Sequence, residues 1–391
     1  MVEENNIKVL FIGEYSGVYT ELIKGLKRKG VECFTISNGD GYKKYPADIL
    51  FINNVIPTKN FFKRAYRNVI KRLGLHGLYN FLKRWKELKQ YVKGYDIVQL
   101  VSSVPLTGFG SIANLIMIKY VHKNNKHIFL SVLGDDYYTV KWLGNEKNNS
   151  SFFKDNKLKN IFRPSSQFTY KYCFLYKYLN DYIVRISKSI MPGSYSYFMS
   201  YQWTNTHIGY FPFPIDESKI KQPIILKDNE PIVIFHGWQK GKDSRKGNDV
   251  FDRVIKKVVK KYGEKVEYRV VQNVPFNEYI KLYSDSHIFI DQLFGFDKGM
   301  NGLLGMAAGK VVFSGFKKNT LCNYPNYKGE LIGIESHNDE DYLFERFCEL
   351  IDNPRLIEKI SKNAIEFVKQ NHLTDFVADL YINEWKKYLY K

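Results

Sequence analysis

The stretch DQLFGFDKGMNGLLGMAAGKVVF, Asp291–Phe313, carries more information about the fold than any other part of this chain. It follows a short apolar run, turns through Gly295 and Gly299, and continues as small and apolar residues up to Gly309. The pattern predicts a strand, a glycine-rich turn, a short helix and a second strand. Backbone N–H groups at the start of such a helix favour an anion. Small residues would let the helix lie close to a sheet, so that the turn can approach a diphosphate.

Length and composition indicate a folded protein of two domains. The chain has 391 residues, and its hydrophobic content of 44% excludes wholesale disorder. We find no apolar run long enough to span a bilayer. The N-terminus, MVEENNIKVLFIGEY, is acidic before its apolar run and predicts a strand instead of a signal peptide. The four cysteines are scattered without a C-x-x-C motif, so we expect a reduced, cytoplasmic protein without disulfides or zinc.

The net charge of +19 is unevenly distributed. Residues 59–93 contain eleven basic side chains and a single acid, Glu87, interleaved with aromatic and aliphatic residues at helical spacing. A segment of this kind suits an anionic membrane surface. A solvated basic face is the second interpretation, and nucleic acid is the third. We expect the membrane surface as partner, and no nucleic acid.

Strands and helices alternate twice along the chain, which predicts an α/β protein with two Rossmann-like, doubly wound parallel-sheet domains. We expect an N-terminal domain over residues 1–212, with the basic segment 59–93 as an amphipathic insertion. A proline-containing connector leads into a second domain over residues 213–372. The last helix, residues 373–391, is expected to cross back to the first domain.

The opening stretch resembles the nucleotide-sugar loop of GT-B glycosyltransferases, especially the retaining family-4 type. That loop has two glutamates before an Ala-Met-Ala-x-Gly tail. Here residues 306–309 match the tail, while Phe296 and Leu304 stand at the glutamate positions. The resemblance covers nearly the whole chain through four short motifs, and it implies two domains facing a cleft that holds the active site. It further implies that residues 1–212 form the acceptor-side domain and residues 213–372 the nucleotide-sugar-binding domain.

A second motif, FHGWQKGKDSRKGNDVF, resembles the opening of the family's nucleotide domain. Lys246-Gly247 matches the lysine and glycine that hold the donor diphosphate, whereas Trp238 replaces an arginine. Arg245, Lys240 and Lys242 lie on the same loop and are expected to supply the missing charge. Cations here would stabilise the leaving diphosphate in the transition state.

Two motifs of the first domain suggest acceptor-side residues. KVLFIGEYSGVYTEL resembles the family's first strand and glycine turn, and Gly17 is expected to let the backbone face the cleft. LGDDYY resembles a His-Gly-x-Asp strand end. The resemblance implies that Asp135 or Asp136 orients an acceptor hydroxyl or acts as a base. The alternative for Asp135 is a turn cap.

The remaining donor contacts are inferred from positions near the opening stretch. Asn273 is expected to contact the nucleobase. Asp297 is the carboxylate nearest to the missing first glutamate, and we expect it to contact sugar hydroxyls. Gly299, Met300 and Asn301 form the helix start that would hold the diphosphate, and Asn301 or a backbone group would replace the ribose-binding glutamate.

The resemblance implies a hexosyltransferase that uses a UDP- or GDP-linked sugar, without a metal or other cofactor. We expect a glycan or lipid-linked acceptor, in the synthesis of a bacterial surface polysaccharide. The expected location is the cytoplasm, peripheral at the inner face of the plasma membrane. Two alternatives stay open: a non-catalytic GT-B relative that binds a glycan or a partner transferase, and a nucleotide-sugar epimerase.

Overall fold

The chain forms two compact units in a computed structural model, which describes residues 7–54, 58–145, 166–238, 246–272 and 276–389. For residues 42 and 276–278 only the backbone is described. Unit 1 consists of Met1–Phe211 and Asp375–Lys391, and unit 2 consists of Pro212–Thr374. The polypeptide therefore leaves the first unit once, builds the second, and returns for its last helix.

Unit 1 contains a six-stranded parallel sheet in the order β3-β2-β1-β4-β5-β6. This is the order of a Rossmann fold, in which the sequence of strands reverses between β1 and β4. Every residue of β4 is buried, as expected for a parallel strand covered by helices on both faces. The strands are β1 Lys8–Ile12, β2 Glu32–Ser37, β3 Ile49–Leu50, β4 Ile97–Leu100, β5 His127–Val132 and β6 Ser187–Pro192.

In the described ranges, eight α-helices of unit 1 precede the connection to unit 2. Their bounds are α1 Val18–Arg28, α2 Phe61–Arg72, α3 Leu78–Leu88, α4 Ser111–Asn124, α5 Tyr137–Leu143, α6 Ser166–Tyr172, α7 Phe174–Ile186 and α8 Tyr195–Tyr201. The basic segment 59–93 becomes α2 and α3. α3 packs on the core through Phe81 and Leu88, whereas α2 has no buried residue.

Unit 2 contains a five-stranded parallel sheet in the order β11-β10-β9-β7-β8. This is the order of a flavodoxin-like doubly wound sheet, with the reversal between β7 and β9. The strands are β7 Ile232–Trp238, β8 Val266–Gln272, β9 Ile288–Ile290, β10 Val311–Ser314 and β11 Ile334–Glu335. The helices are α9 Asn248–Tyr262, α10 Phe276–Tyr283, α11 Met300–Ala307, α12 Lys318–Leu321, α13 Glu340–Asp352 and α14 Pro354–His372.

The helix α11 lies directly on the sheet of unit 2 because glycines face the strands. A Cβ atom at Gly305 would come within 3.0 Å of Val312 and 3.2 Å of Phe289. Such distances are tighter than ordinary side-chain packing allows. The stretch Asp291–Phe313, together with the strand before it, therefore forms the strand, turn, helix and strand that its pattern predicts.

The last helix, α15 Thr374–Leu389, packs on unit 1. Trp385 is fully buried and donates from Nε1 to Oε1 of Gln99 on β4 at 3.0 Å. Its ring meets Phe11 and Tyr381 edge-on. Nowhere in the described ranges is there a helix with the length and apolar character needed to cross a lipid bilayer.

Replacement of Trp385 by alanine should destabilise unit 1, because it removes a large buried ring and leaves the amide of Gln99 without its donor. Large-to-small replacements of this type cost about 3–5 kcal/mol. Urea unfolding of Trp385→Ala measures the loss, and Trp203→Ala, at a tryptophan that is 54% exposed, is the matched control. Equal stability of the two variants would contradict the packing of α15.

Candidate functional site

The sheet of unit 2 indicates where a ligand site is to be sought. The connections that follow β7 and β9 diverge to opposite faces of the sheet, because the strand order reverses between these neighbours. In open α/β sheets, ligands bind at the carboxyl ends of the strands at such a reversal. The relevant segments are residues 239–247 and 291–299. Of the first segment, residues 239–245 lie outside the described ranges, and so does the predicted phosphate ligand Arg245.

Lys246 meets the second segment at this point. Its Nζ lies 3.2 Å from Oδ1 of Asp291, and its backbone oxygen accepts from the N–H of Leu293 at 2.9 Å. The lysine side chain is 19% exposed and the aspartate side chain 2%. The lysine predicted to hold a diphosphate is thus present at the switch point, and it is already paired with a buried carboxylate.

The carboxylate of Asp291 is held on its other side as well. Oδ2 accepts a hydrogen bond from the hydroxyl of Ser314 on β10 at 2.8 Å. The same oxygen lies 2.7 Å from the position that a Cβ atom would take at Gly302, in the first turn of α11. Only a glycine leaves room for this carboxylate beneath the helix, so Gly302 and Asp291 depend on each other.

The N-terminus of α11 begins at Gly299, an N-cap residue without a side chain that could accept from the first turn. Met300 is buried, and Asn301 donates from Nδ2 to the hydroxyl of Tyr279 at 3.2 Å. These predicted diphosphate contacts therefore lie together at the carboxyl end of β9, where the helix dipole favours negative charge.

Asp297 lies inside the loop that leads to this helix. Its side chain is 5% exposed, and Oδ1 accepts from the backbone N–H of Lys298 at 2.8 Å and from Nζ of Lys298 at 3.3 Å. Lys298 also donates to the hydroxyl of Tyr324 at 2.7 Å, and burial lowers the pKa of its ammonium group. The carboxylate of Asp297, which we predicted to contact sugar hydroxyls, thus forms a buried ion pair that holds the loop.

An aromatic stack ends β7 beside Lys246. Trp238, in the place of an arginine, stacks on His236, with the two planes 15° apart. His236 is fully buried between the hydroxyl of Tyr268 at 2.7 Å from Nδ1 and Oδ1 of Asn248 at 3.1 Å from Nε2. Burial lowers the pKa of His236 to about 4, so the ring is neutral. Our sequence reasoning missed His236 and Asn248, although a histidine at the end of an apolar strand was a signal.

In unit 1 the corresponding reversal lies between β1 and β4. Gly17 begins α1 with φ of 81°, and a Cβ atom there would come within 2.8 Å of the ring of Tyr45. Glu14 is buried and accepts from the N–H and hydroxyl of Thr20 at 2.9 and 2.8 Å. The carboxylate therefore occupies the first turn of α1. Burial raises the pKa of Glu14 to about 7.

The two aspartates after β5 have different environments. Asp136 is fully buried, and its oxygens accept from the N–H of Thr139 at 2.9 Å and from the hydroxyl of Tyr201. It is the N-cap of α5, and burial raises its pKa to about 6. Asp135 is half-buried and accepts from Nε2 of Gln167 at 3.0 Å. Only Asp135 presents a carboxylate that a substrate could reach, because Asp136 is enclosed.

Asn273, the predicted nucleobase contact, lies outside the described residues. The described ranges also contain no group of three or more His, Cys, Asp or Glu side chains arranged to hold a metal ion.

No protein-family model matches the sequence, and no curated protein matches it by sequence. Solved structures match it by shape over almost its whole length. HepE from Anabaena, solved in complex with UDP and glucose, has a TM-score of 0.60 at 11% identity and covers 97% of this chain and 100% of its own.

Two further solved structures also match nearly the whole chain in fold at low sequence identity. Sucrose-phosphate synthase from Thermosynechococcus elongatus has a TM-score of 0.58 at 13% identity, covering 97% of this chain and 98% of its own. A glycosyltransferase from Rickettsia africae has a TM-score of 0.53 at 14% identity, and the match covers 98% of this chain and 99% of its own. The two-domain GT-B fold expected from the sequence is therefore confirmed.

The buried carboxyl group of Glu14 should make the stability of the protein depend on pH. The unfolded chain releases this proton near pH 4.5 and the folded chain near pH 7. In between, the folded state binds more protons, so the stability contributed by Glu14 falls as the pH rises. Relative to Glu14→Gln, the wild type should lose about 2 kcal/mol between pH 5 and pH 8.

Chemical unfolding of both proteins at pH 5 and pH 8 measures this difference. The control is Glu217→Gln, an exchange of the same kind at an exposed glutamate of unit 2. A constant difference between wild type and Glu14→Gln would show that Glu14 is ionised throughout this range.

Proposed function

We propose that this protein is a glycosyltransferase of the hexosyltransferase type, which moves a sugar from a UDP- or GDP-linked donor to a glycan acceptor. The observation that carries the proposal is the position of Lys246 at the carboxyl edge of unit 2, where its ammonium group lies 3.2 Å from Asp291, a carboxylate packed against the first turn of α11. A lysine and an uncapped helix start are the groups that bind a diphosphate. The shared fold with HepE, solved with UDP and glucose, supports the same assignment.

The proposed chemistry requires positive charge where the nucleoside diphosphate leaves. The bond between the anomeric carbon and the diphosphate oxygen breaks, and the acceptor oxygen bonds to that carbon after losing its proton. Negative charge on the diphosphate grows during this step, so Lys246 and the dipole of α11 would stabilise the transition state more than the bound donor. Because these groups supply the charge, we propose a metal-independent reaction, with retention as the resemblance implies.

On the acceptor side, we assign the aspartates after β5 to different tasks. Asp135 has the accessible carboxylate and is the candidate that orients or deprotonates the acceptor hydroxyl. Asp136 caps α5 and holds the turn that carries Asp135, so it acts as a positioning residue.

A non-catalytic GT-B relative that binds a glycan or a partner transferase is the second candidate. Two observations favour it: Trp238 stands where an arginine is expected, and the charge of Lys246 is balanced by Asp291. Such a protein would bind a nucleoside diphosphate weakly or not at all, which separates it from a transferase.

We further propose a lipid-linked acceptor in the synthesis of a bacterial surface polysaccharide, at the inner face of the plasma membrane. Support comes from α2 and α3. Phe61, Phe62 and Tyr66 on α2 are 68–79% exposed, and Tyr79 on α3 is 79% exposed. Exposed aromatic rings beside many basic side chains are the pattern of a helix that lies in an anionic lipid interface.

Nucleotide binding tests the transferase proposal. We expect calorimetry to detect binding of UDP or GDP, with the same affinity in EDTA and in Mg²⁺. Lys246→Ala should weaken it about 10- to 100-fold, because a hydrogen bond to a charged group is lost. The control is Lys256→Ala, at an exposed lysine of α9 that pairs with Asp252.

The outcomes separate the alternatives. Absence of binding of UDP, GDP and CDP would overturn the transferase proposal and favour the non-catalytic one. Undiminished affinity of a folded Lys246→Ala variant would show that the diphosphate binds elsewhere, and a requirement for Mg²⁺ would contradict metal independence.

Vesicle binding tests the membrane proposal separately. Glutamate replacements at Lys63, Arg64 and Lys83, all on the exposed surface of α2 and α3, should weaken binding to phosphatidylglycerol-containing vesicles at least a hundredfold, since each lost basic residue contributes about 1 kcal/mol and each glutamate adds repulsion. The same change of charge at three exposed lysines of α14 is the control; these are Lys359, Lys362 and Lys369. Equal losses in both triple variants would indicate a non-specific charge effect.

A further inference from the structure

The carboxylate of Asp291 occupies the surroundings that the proposed function assigns to a diphosphate. It lies 3.2 Å from the ammonium group of Lys246, and it accepts from the hydroxyl of Ser314 at 2.8 Å. Its Oδ2 atom lies against the first turn of α11 at Gly302. A lysine, a hydroxyl and a helix start are the partners that a phosphoryl group would use. The protein therefore carries its own anion at this point.

The two side chains of the Lys246–Asp291 ion pair differ in exposure, and this difference affects how a ligand can bind. The side chain of Asp291 is 2% exposed and its position is held by Ser314, whereas the side chain of Lys246 is 19% exposed. Lys246 can therefore turn toward an incoming anion while Asp291 stays in place. Charges in such a site are weakly screened, so the carboxylate attracts Lys246 and repels a bound diphosphate.

We propose that Asp291 sets the affinity of the donor site by competing with the nucleoside diphosphate for Lys246, so that the product is released after transfer. This inference rests on the proposed function. In this proposal Asp291 does not touch the reacting atoms. It changes the affinity for the nucleoside diphosphate through its ion pair with Lys246, and is therefore a positioning residue.

Replacement of Asp291 by asparagine is a test that preserves the shape of the site. The amide is isosteric with the carboxylate, and the hydroxyl of Ser314 can donate to it or accept from it. We expect Asp291→Asn to bind UDP or GDP at least tenfold more tightly than the wild type in calorimetry. Asp285→Asn is the matched control, because Asp285 forms an exposed ion pair with Arg269 before β9, at the opposite end of that strand from Asp291. The control should bind like the wild type.

A second comparison covers the case in which Asp291→Asn folds poorly because Lys246 is left without its partner. In a Lys246→Met background, the buried carboxylate remains and the cation is absent. The double variant Lys246→Met/Asp291→Asn should then bind the nucleotide more tightly than Lys246→Met alone, since only the repulsion has been removed. Thermal unfolding of each variant shows that the compared proteins are folded.

The outcomes distinguish this inference from the proposed function. Tighter binding by Asp291→Asn than by the wild type supports the inference. Equal or weaker binding by Asp291→Asn beside a wild type that binds normally would overturn the inference and leave the transferase proposal standing. Absence of nucleotide binding by the wild type would overturn the proposed function, and the inference with it.

Discussion

The reversal of strand order between β7 and β9 is the constraint on which the candidate site depends. All strands of a parallel sheet end at the same edge, and neighbours whose connections run to opposite faces leave a gap there. That gap brings together Lys246 and Asp291, which are 45 residues apart in the chain. A buried ion pair loses hydration and is stable only when further hydrogen bonds support it. Ser314 supplies one on the acid, and the contact between the backbones of Lys246 and Leu293 holds the two loops together.

The two units use the same kind of sheet edge in different ways. In unit 1, buried carboxylates satisfy the helices that start there, because Glu14 accepts from the first turn of α1 and Asp136 from that of α5. In unit 2, α9 and α11 start at Gly247 and Gly299, which have no side-chain acceptor. The contrast holds for these four helices and not for the whole of unit 1, because α4 also starts at a glycine, Gly110, without a side-chain cap.

Much of the fold could be predicted from local patterns. The glycine-rich stretch after β9 folds as its spacing indicates, since Gly302 and Gly305 are needed wherever a helix lies this close to a strand. The roles of acidic residues could not be predicted in the same way. Asp136 and Asp297 follow strand ends and look accessible in the sequence, yet Tyr201 and Lys298 enclose them. Tyr201 is 65 residues from Asp136 in the chain, so no local sequence pattern predicts that contact.

The amino-acid sequence by itself determined the class of the protein: alternating apolar strands and amphipathic helices, two domains, a basic aromatic segment, and a glycine turn at a helix start. Those properties depend on neighbours within a few residues, so they are visible in the order of the residues. Only the tertiary structure decided which charges are available. It paired Lys246 with Asp291, enclosed Asp136, and left the aromatic rings of α2 exposed. Burial and ion pairing depend on residues that meet through packing of distant segments, and the linear spacing of the chain does not encode them.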